Sequence, residues 1–191
     1  MGYCYEKGWL SDYYYEKVIR VREEKEGSGA RALLAGAGTK SQMLVLWGGV
    51  LGDELRIEPV LSMYAAAKLP EQPGPYRLDG IAVDGGTEFS LSFTPGEDQY
   101  GNKYFFFAIP IEDDWEGSLE RIVLTGPEGV VAIDDTDPRS ISVFTDPSTG
   151  RIRSILRDWD GPLVAAMGAT DQLDVVTTRG IREAVRRRPQ R

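Results

Sequence analysis

The residue types that carry most catalysis at neutral pH are sparse in this chain of 191 residues. It contains no histidine and one cysteine, Cys4. Histidine is the commonest general base and the commonest metal ligand in proteins. Its absence excludes Ser-His-Asp and Cys-His catalytic groups and the histidine-bearing zinc motifs. The sequence therefore predicts a chain that is not an enzyme by itself and that has no catalytic residues.

Three carboxylates in one turn form the most concentrated group of candidate metal ligands: Asp134, Asp135 and Asp137. Clustered carboxylate oxygens on a loop can bind Ca²⁺. Aspartates are also common in turns because their side chains accept hydrogen bonds from nearby backbone amides. The turn is thus a candidate calcium site, and no other cofactor is predicted for the chain itself.

Two tryptophans in acidic, loop-like segments are the candidate ligand-binding residues. Trp115 lies in the sequence DDWE and Trp159 in RDWDG. An exposed tryptophan beside carboxylates can stack on a sugar ring while the carboxylates bind the sugar hydroxyls. The alternative is that each indole ring folds back onto the edge of a sheet.

The charge balance excludes some partners. Thirty acidic and 22 basic residues give a net charge of −8. An acidic surface repels phosphate backbones and anionic lipid, so neither a nucleic acid nor a membrane is an expected partner. No run of about 18 apolar residues, which a spanning helix requires, occurs in the sequence.

One helix is expected before the strands. Ser11 is a suitable N-cap, and Tyr14, Val18 and Val21 recur at helical spacing. This pattern predicts one amphipathic helix over residues 11–25.

From Met43 onward, apolar residues recur at every second position instead of at helical spacing. Phe89, Leu91 and Phe93 alternate with polar residues, which predicts a strand buried on one face. Residues 104–109 are apolar throughout. This second pattern predicts a central strand that is covered on both faces.

Turn-forming residues separate about eight to ten such segments. No long amphipathic helix lies between them, which excludes βαβ units. The predicted fold is mainly β: an antiparallel β-sandwich, immunoglobulin-like or jelly-roll-like, preceded by one N-terminal α-helix. Residues 181–187 are predicted to form a last helical turn or two. The predicted turns fall at residues 84–86, 96–102, 126–129, 134–138 and 146–150.

The first four residues, MGYC, are followed by WLSDY at residues 9–13 and by the predicted helix. This arrangement resembles the Met-turn and final helix of metzincin-type zinc metallopeptidases. The resemblance implies that Met1 is the Met-turn methionine and that Tyr3 lies near the metal. The zinc-binding histidines and the catalytic glutamate, which precede this turn in the family, are absent from the sequence.

The resemblance implies a domain organisation. Residues 1–27 would be the Met-turn and last helix of a truncated peptidase domain, residues 28–41 a connector, and residues 42–191 a β-sandwich domain. The chain would then begin at an internal methionine of a larger, secreted peptidase. The zinc site of that parent would lie entirely upstream.

Two functions remain open at this point. The resemblance implies a non-catalytic accessory β-sandwich domain of a secreted zinc metallopeptidase, with the upstream peptidase domain as its partner and an extracellular location. The alternative is an independent β-sandwich module that binds carbohydrate or protein.

Overall fold

Strands dominate the part of the chain that the structure describes. The structure is a computed structural model and describes residues 41–149, 152–159 and 173–186. The predicted helix at residues 11–25, the connector up to residue 40, and the Met-turn residues Met1 and Tyr3 lie outside these ranges.

The described ranges contain twelve strands and two short helices. In chain order they are β1 (Ser41–Leu51), β2 (Glu54–Ile57), β3 (Leu61–Ala65), β4 (Tyr76–Ala82), β5 (Thr87–Phe93), β6 (Gly96–Glu97), β7 (Lys103–Pro110), α1 (Trp115–Ser118), β8 (Leu119–Gly126), β9 (Gly129–Asp134), β10 (Ser140–Thr145), β11 (Ile152–Arg157), β12 (Asp174–Arg179) and α2 (Gly180–Val185). Neither helix is long and apolar enough to cross a membrane.

The strands form three antiparallel sheets. The central sheet has the order β2-β1-β7-β6, and β3 pairs with β1 as well. A four-stranded sheet has the order β5-β4-β8-β9, and a three-stranded sheet has the order β11-β10-β12. The prediction of an antiparallel β-sandwich is confirmed. The strand count exceeds the expected eight to ten, partly because β6 has only two residues.

The main core lies between the central and the four-stranded sheets. Alternate residues of β1 and β7 belong to the same buried cluster as residues of β4, β5 and β8. Phe93 is its aromatic centre, with ring centroids 4.9 Å from Phe107, 5.1 Å from Phe105 and 5.7 Å from Tyr76. Burial of these large rings is the main stabilising contribution to this layer.

The opposite face of the central sheet is also covered. Val45 and Trp47 of β1 and Phe106 of β7 pack with Ile141 and Ile155 of the three-stranded sheet. Both faces of β1 and β7 are therefore buried, which explains why these two strands are apolar at almost every position. The predicted two-sided strand at residues 104–109 is confirmed as β7.

Several predicted turns are confirmed by their hydrogen bonds. The carboxylate of Asp84 accepts a bond from the N–H of Gly86 at 2.8 Å, and Gly85 has a φ of +84°. Residues 126–129 connect β8 to β9. The short strand β6 takes the first two residues of the predicted turn at residues 96–102, and the turn itself is closed by the Asp98 N–H, which donates to the Asn102 carbonyl at 3.0 Å. The predicted terminal helix is confirmed as α2.

Candidate functional site

The edge of β7 that faces away from β1 is paired at both ends and open in the middle. Lys68 donates its N–H to the carbonyl of Ala108 at 2.8 Å and accepts the Ala108 N–H at 2.9 Å. Nearer the start of β7, Gly96 pairs with Tyr104. Phe106 lies between these pairs. Alternate residues of an antiparallel strand point their backbone groups to the same side, so the N–H and C=O of Phe106 face this edge.

No residue in the described ranges pairs with Phe106 on this edge, because neither flanking segment continues its pairing as far as this position. Extending the Lys68 pairing by two residues would place Pro70 opposite Phe106, and proline has no N–H to donate. Extending the β6 pairing would place Thr94 there. Instead, Pro95 precedes β6, and the Thr94 hydroxyl donates to the carbonyl of Pro73 at 3.1 Å. Both flanking segments therefore leave the Phe106 backbone unpaired.

A cavity of about 350 Å³ lies at this gap. Segments 68–72, 93–96 and 104–107 form its wall. Its rim is partly apolar, since Leu69 is 52% exposed. Its charged residues are Lys68, whose ammonium lies 5.9 Å from the centre of the Phe106 ring, and the exposed Glu71. The cavity thus combines a backbone donor and acceptor, apolar walls and one cation.

Two of the three aspartates predicted as calcium ligands are occupied by local bonds. Asp134 accepts bonds from the hydroxyl and the N–H of Thr136, at 2.6 and 2.7 Å, which lower the pKa of its carboxyl. Asp137 accepts bonds from the guanidinium of Arg139, which lower its pKa as well. These contacts are of the kind expected of aspartates that stabilise a turn.

The third aspartate, Asp135, binds the start of α2. Its Oδ1 accepts the N–H groups of Ile181 and Arg182 at 2.8 and 2.9 Å, and its Oδ2 lies 3.0 Å from the Arg182 guanidinium. Within the described ranges, no group of three or more acidic or cysteine side chains is arranged to hold a metal ion. Calcium binding at this turn stays a prediction.

The two candidate tryptophans differ in exposure. Trp115 is only 4% exposed and lies in α1, and its ring packs 5.2 Å from that of Phe89. Its face is not open for stacking, and this packing corresponds to the alternative in which the ring folds back onto a sheet. Trp159 is half-buried, and its ring makes an edge contact with that of Phe144 at 5.2 Å. This contact corresponds to the alternative in which the ring folds back onto a sheet.

A buried ionic group, which sequence reasoning missed, joins the central sheet to the three-stranded sheet. Glu58 is 6% exposed and lies between β2 and β3. Its carboxylate is 3.1 Å from the guanidinium of Arg157 and 3.9 Å from that of Arg139. Arg157 also lies 5.3 Å from the centre of the Trp47 ring. The signal in the sequence was a glutamate inside the apolar segment IEPVL.

A second ionic group joins the central sheet to the four-stranded sheet. The ammonium of Lys103 lies 2.8 Å from Glu128 and 2.9 Å from the hydroxyl of Tyr76, which donates to Glu128 at 2.7 Å. Bonds to Glu128 and Tyr76 raise the pKa of Lys103, and the bond from Lys103 lowers the pKa of Glu128. Both groups are charged at neutral pH, so the arrangement suits an ion pair rather than an acid–base pair.

No protein-family model, no curated protein and no solved structure matches this chain. The function must therefore be inferred from the chemistry of the site. Of the groups described above, only the open edge of β7 combines unpaired backbone groups with a cavity. We take this edge as the candidate binding site of an all-β domain.

The first prediction concerns the buried ionic group. Glu58→Gln would leave the guanidinium group of Arg157 without its buried counter-charge, whereas Arg139 keeps its bonds to Asp137. We expect it to lower the free energy of unfolding by about 3 kcal/mol. Glu54→Gln removes an exposed glutamate that lies 3.5 Å from Arg56 and is the matched control, with an expected change within about 0.5 kcal/mol. Urea denaturation measures both, and similar small losses would contradict the assignment.

Proposed function

We propose that the β-domain is a non-catalytic binding module and that its ligand is a protein segment bound at the open edge of β7. The observation that supports this is the backbone of Phe106, a residue only 4% exposed, which pairs with no described residue on this edge. A buried N–H or C=O without a partner costs free energy, whereas a ligand that supplies both partners recovers it. The cavity beside Phe106 provides the space for that ligand.

The chemistry of the open edge favours a protein ligand over a sugar. An N–H and a C=O at strand spacing match the backbone of another extended chain, which is how peptides add to sheet edges. Sugar recognition at the cavity would instead require an exposed aromatic face there; Trp115 is buried, and the exposed Tyr100 does not lie on the cavity wall. The protein-binding alternative is therefore the better supported of the two.

The gap is short. Lys68 and Gly96 occupy the positions on either side of the one opposite Phe106. A long strand cannot pair along this edge without displacing one of them. The site therefore accepts a single extended residue rather than a whole strand.

A peptide array tests this function with the full chain. Random tetrapeptides are tethered through their N-termini, with free C-termini on one copy of the array and amidated C-termini on a second. We expect the wild-type chain to bind a subset of peptides on at least one copy. Thr94→Phe places an aromatic ring at the cavity wall and should abolish this binding.

The control for the array is Thr87→Phe, which introduces the same ring at an exposed position away from the cavity wall. It should bind as the wild type does. If the wild type bound no peptide, or if Thr94→Phe bound as well as Thr87→Phe, the proposed function would be wrong.

The role as an accessory domain of a secreted zinc metallopeptidase is a separate proposal. Its support is the resemblance carried by residues 1–4 and 9–13. The chain has no histidine, so the zinc of such a parent would be held by upstream residues. A binding module placed after the peptidase domain would position protein substrates for that zinc site.

Genomic sequence upstream of the Met1 codon tests this second proposal. We expect an open frame, continuous with this one, that encodes H-E-x-x-H. An in-frame stop codon in front of Met1, with no such motif between the two, would contradict the accessory role. It would leave the proposed binding function untouched.

A further inference from the structure

We propose that the ligand residue bound opposite Phe106 is acidic, and that its side-chain carboxylate pairs with the ammonium of Lys68. This inference rests on the proposed function and specifies the ligand of the same site. It follows from the pairing of the β7 edge, which determines the side chains that surround the side chain of the bound residue.

The bound residue directs its side chain to the same face of the central sheet as Phe106, because residues directly opposite each other in an antiparallel pair share a face. Ala108, Phe106 and Tyr104 are alternate residues of β7 and lie on that face too. Lys68 lies opposite Ala108, and Gly96 lies opposite Tyr104. The side chain of the bound residue therefore lies on one face with that of Lys68, between Lys68 and Gly96.

Three side chains surround the space that the ligand side chain enters. The Phe106 ring lies beside it. At one end, Lys68 extends along this face, since its ammonium is 5.9 Å from the centre of the Phe106 ring. At the other end, the Tyr104 ring covers Gly96, and a Cβ atom on that glycine would overlap the ring. We call this space the Lys68 slot.

The ligand chain meets the edge at one residue only. Antiparallel pairing directs it towards Lys68 on the N-terminal side of that residue and towards Gly96 on the C-terminal side. Both of these positions are occupied, so the ligand chain turns away from the edge on each side. The side chain in the Lys68 slot is therefore the part of the ligand that the site can distinguish.

Lys68 gives the slot a positive charge. This residue is half-buried, and it is the only basic one among the described residues that line the cavity. No acidic side chain in the described ranges forms an ion pair with it. A carboxylate in the slot gains a charge-assisted hydrogen bond, which is stronger than the bond that a neutral amide makes. The slot therefore favours glutamate or aspartate on the ligand.

The charge of the rest of the chain opposes this preference. The net charge of −8 repels acidic peptides in general. Glu71, the one acidic residue among the described residues of the cavity wall, is exposed, so water and salt screen its repulsion of a carboxylate. A preference for acidic peptides would therefore come from a local cation and not from the overall charge.

Matched peptide arrays test this inference with the full chain. One array carries random tetrapeptides with amidated C-termini. The other carries the same peptides with each glutamate replaced by glutamine and each aspartate by asparagine. We expect the wild-type chain to bind a set of acidic peptides and to bind their neutral counterparts about fivefold more weakly. Calorimetry on the tightest-binding acidic peptide and its counterpart measures this ratio, which high salt should reduce.

Two charge variants identify the cation. Lys68→Gln should bring the ratio to about one and leave the binding of neutral peptides unchanged. Arg121→Gln removes the same charge from an exposed position away from the cavity wall and should keep the ratio at its wild-type value. Equal effects of the two substitutions would overturn the role of Lys68.

The outcomes separate this inference from the proposed function. Bound peptides without acidic residues, or equal binding of acidic peptides and their neutral counterparts, would overturn the acidic side chain and leave the binding module standing. If no peptide bound on either array, both proposals would fall together.

Discussion

Burial of both faces of β1 and β7 is the constraint on which the rest of the structure depends. Two layers of side chains, one on each face of the central sheet, require these strands to be apolar almost throughout. They also remove the backbone from water, so each N–H and C=O needs a partner in the plane of the sheet. β1 is paired on both edges, by β7 on one and by β2 and β3 on the other. Among the residues that the structure describes, the outer edge of β7 has only the short pairings with β6 and Lys68, and the candidate site is the position that they leave open.

Local periodicity was sufficient to predict much of this fold. The alternation of Phe89, Leu91 and Phe93 predicts which face of β5 is buried. The unbroken apolar segment at residues 104–109 predicts a strand that is covered on both faces. The turn-forming residues at 84–86 and 126–129 predict the hairpins equally well, because the conformation of a turn depends on neighbours along the chain. These features need no knowledge of what packs against them.

The candidate site could not be predicted in the same way, because it is made by contacts distant in sequence. Lys68 pairs with Ala108, forty residues further along the chain, and no local pattern encodes that register. Glu58 contacts Arg139 and Arg157 because the three-stranded sheet packs against the central sheet. The acidic segment around Trp115 left open whether the indole is exposed, and tertiary packing places it in the core. In each case the deciding partner lies far away in the sequence.

Amide hydrogen exchange at β7 tests the central claim most directly. The backbone groups of Phe105 and Phe107 point towards β1, whereas those of Phe106 face the cavity. The account predicts that the Phe106 amide exchanges much faster than both neighbours in the free protein and becomes protected when a peptide binds. Equal protection of the three amides in the free protein would show that this edge is already closed, and would contradict the account.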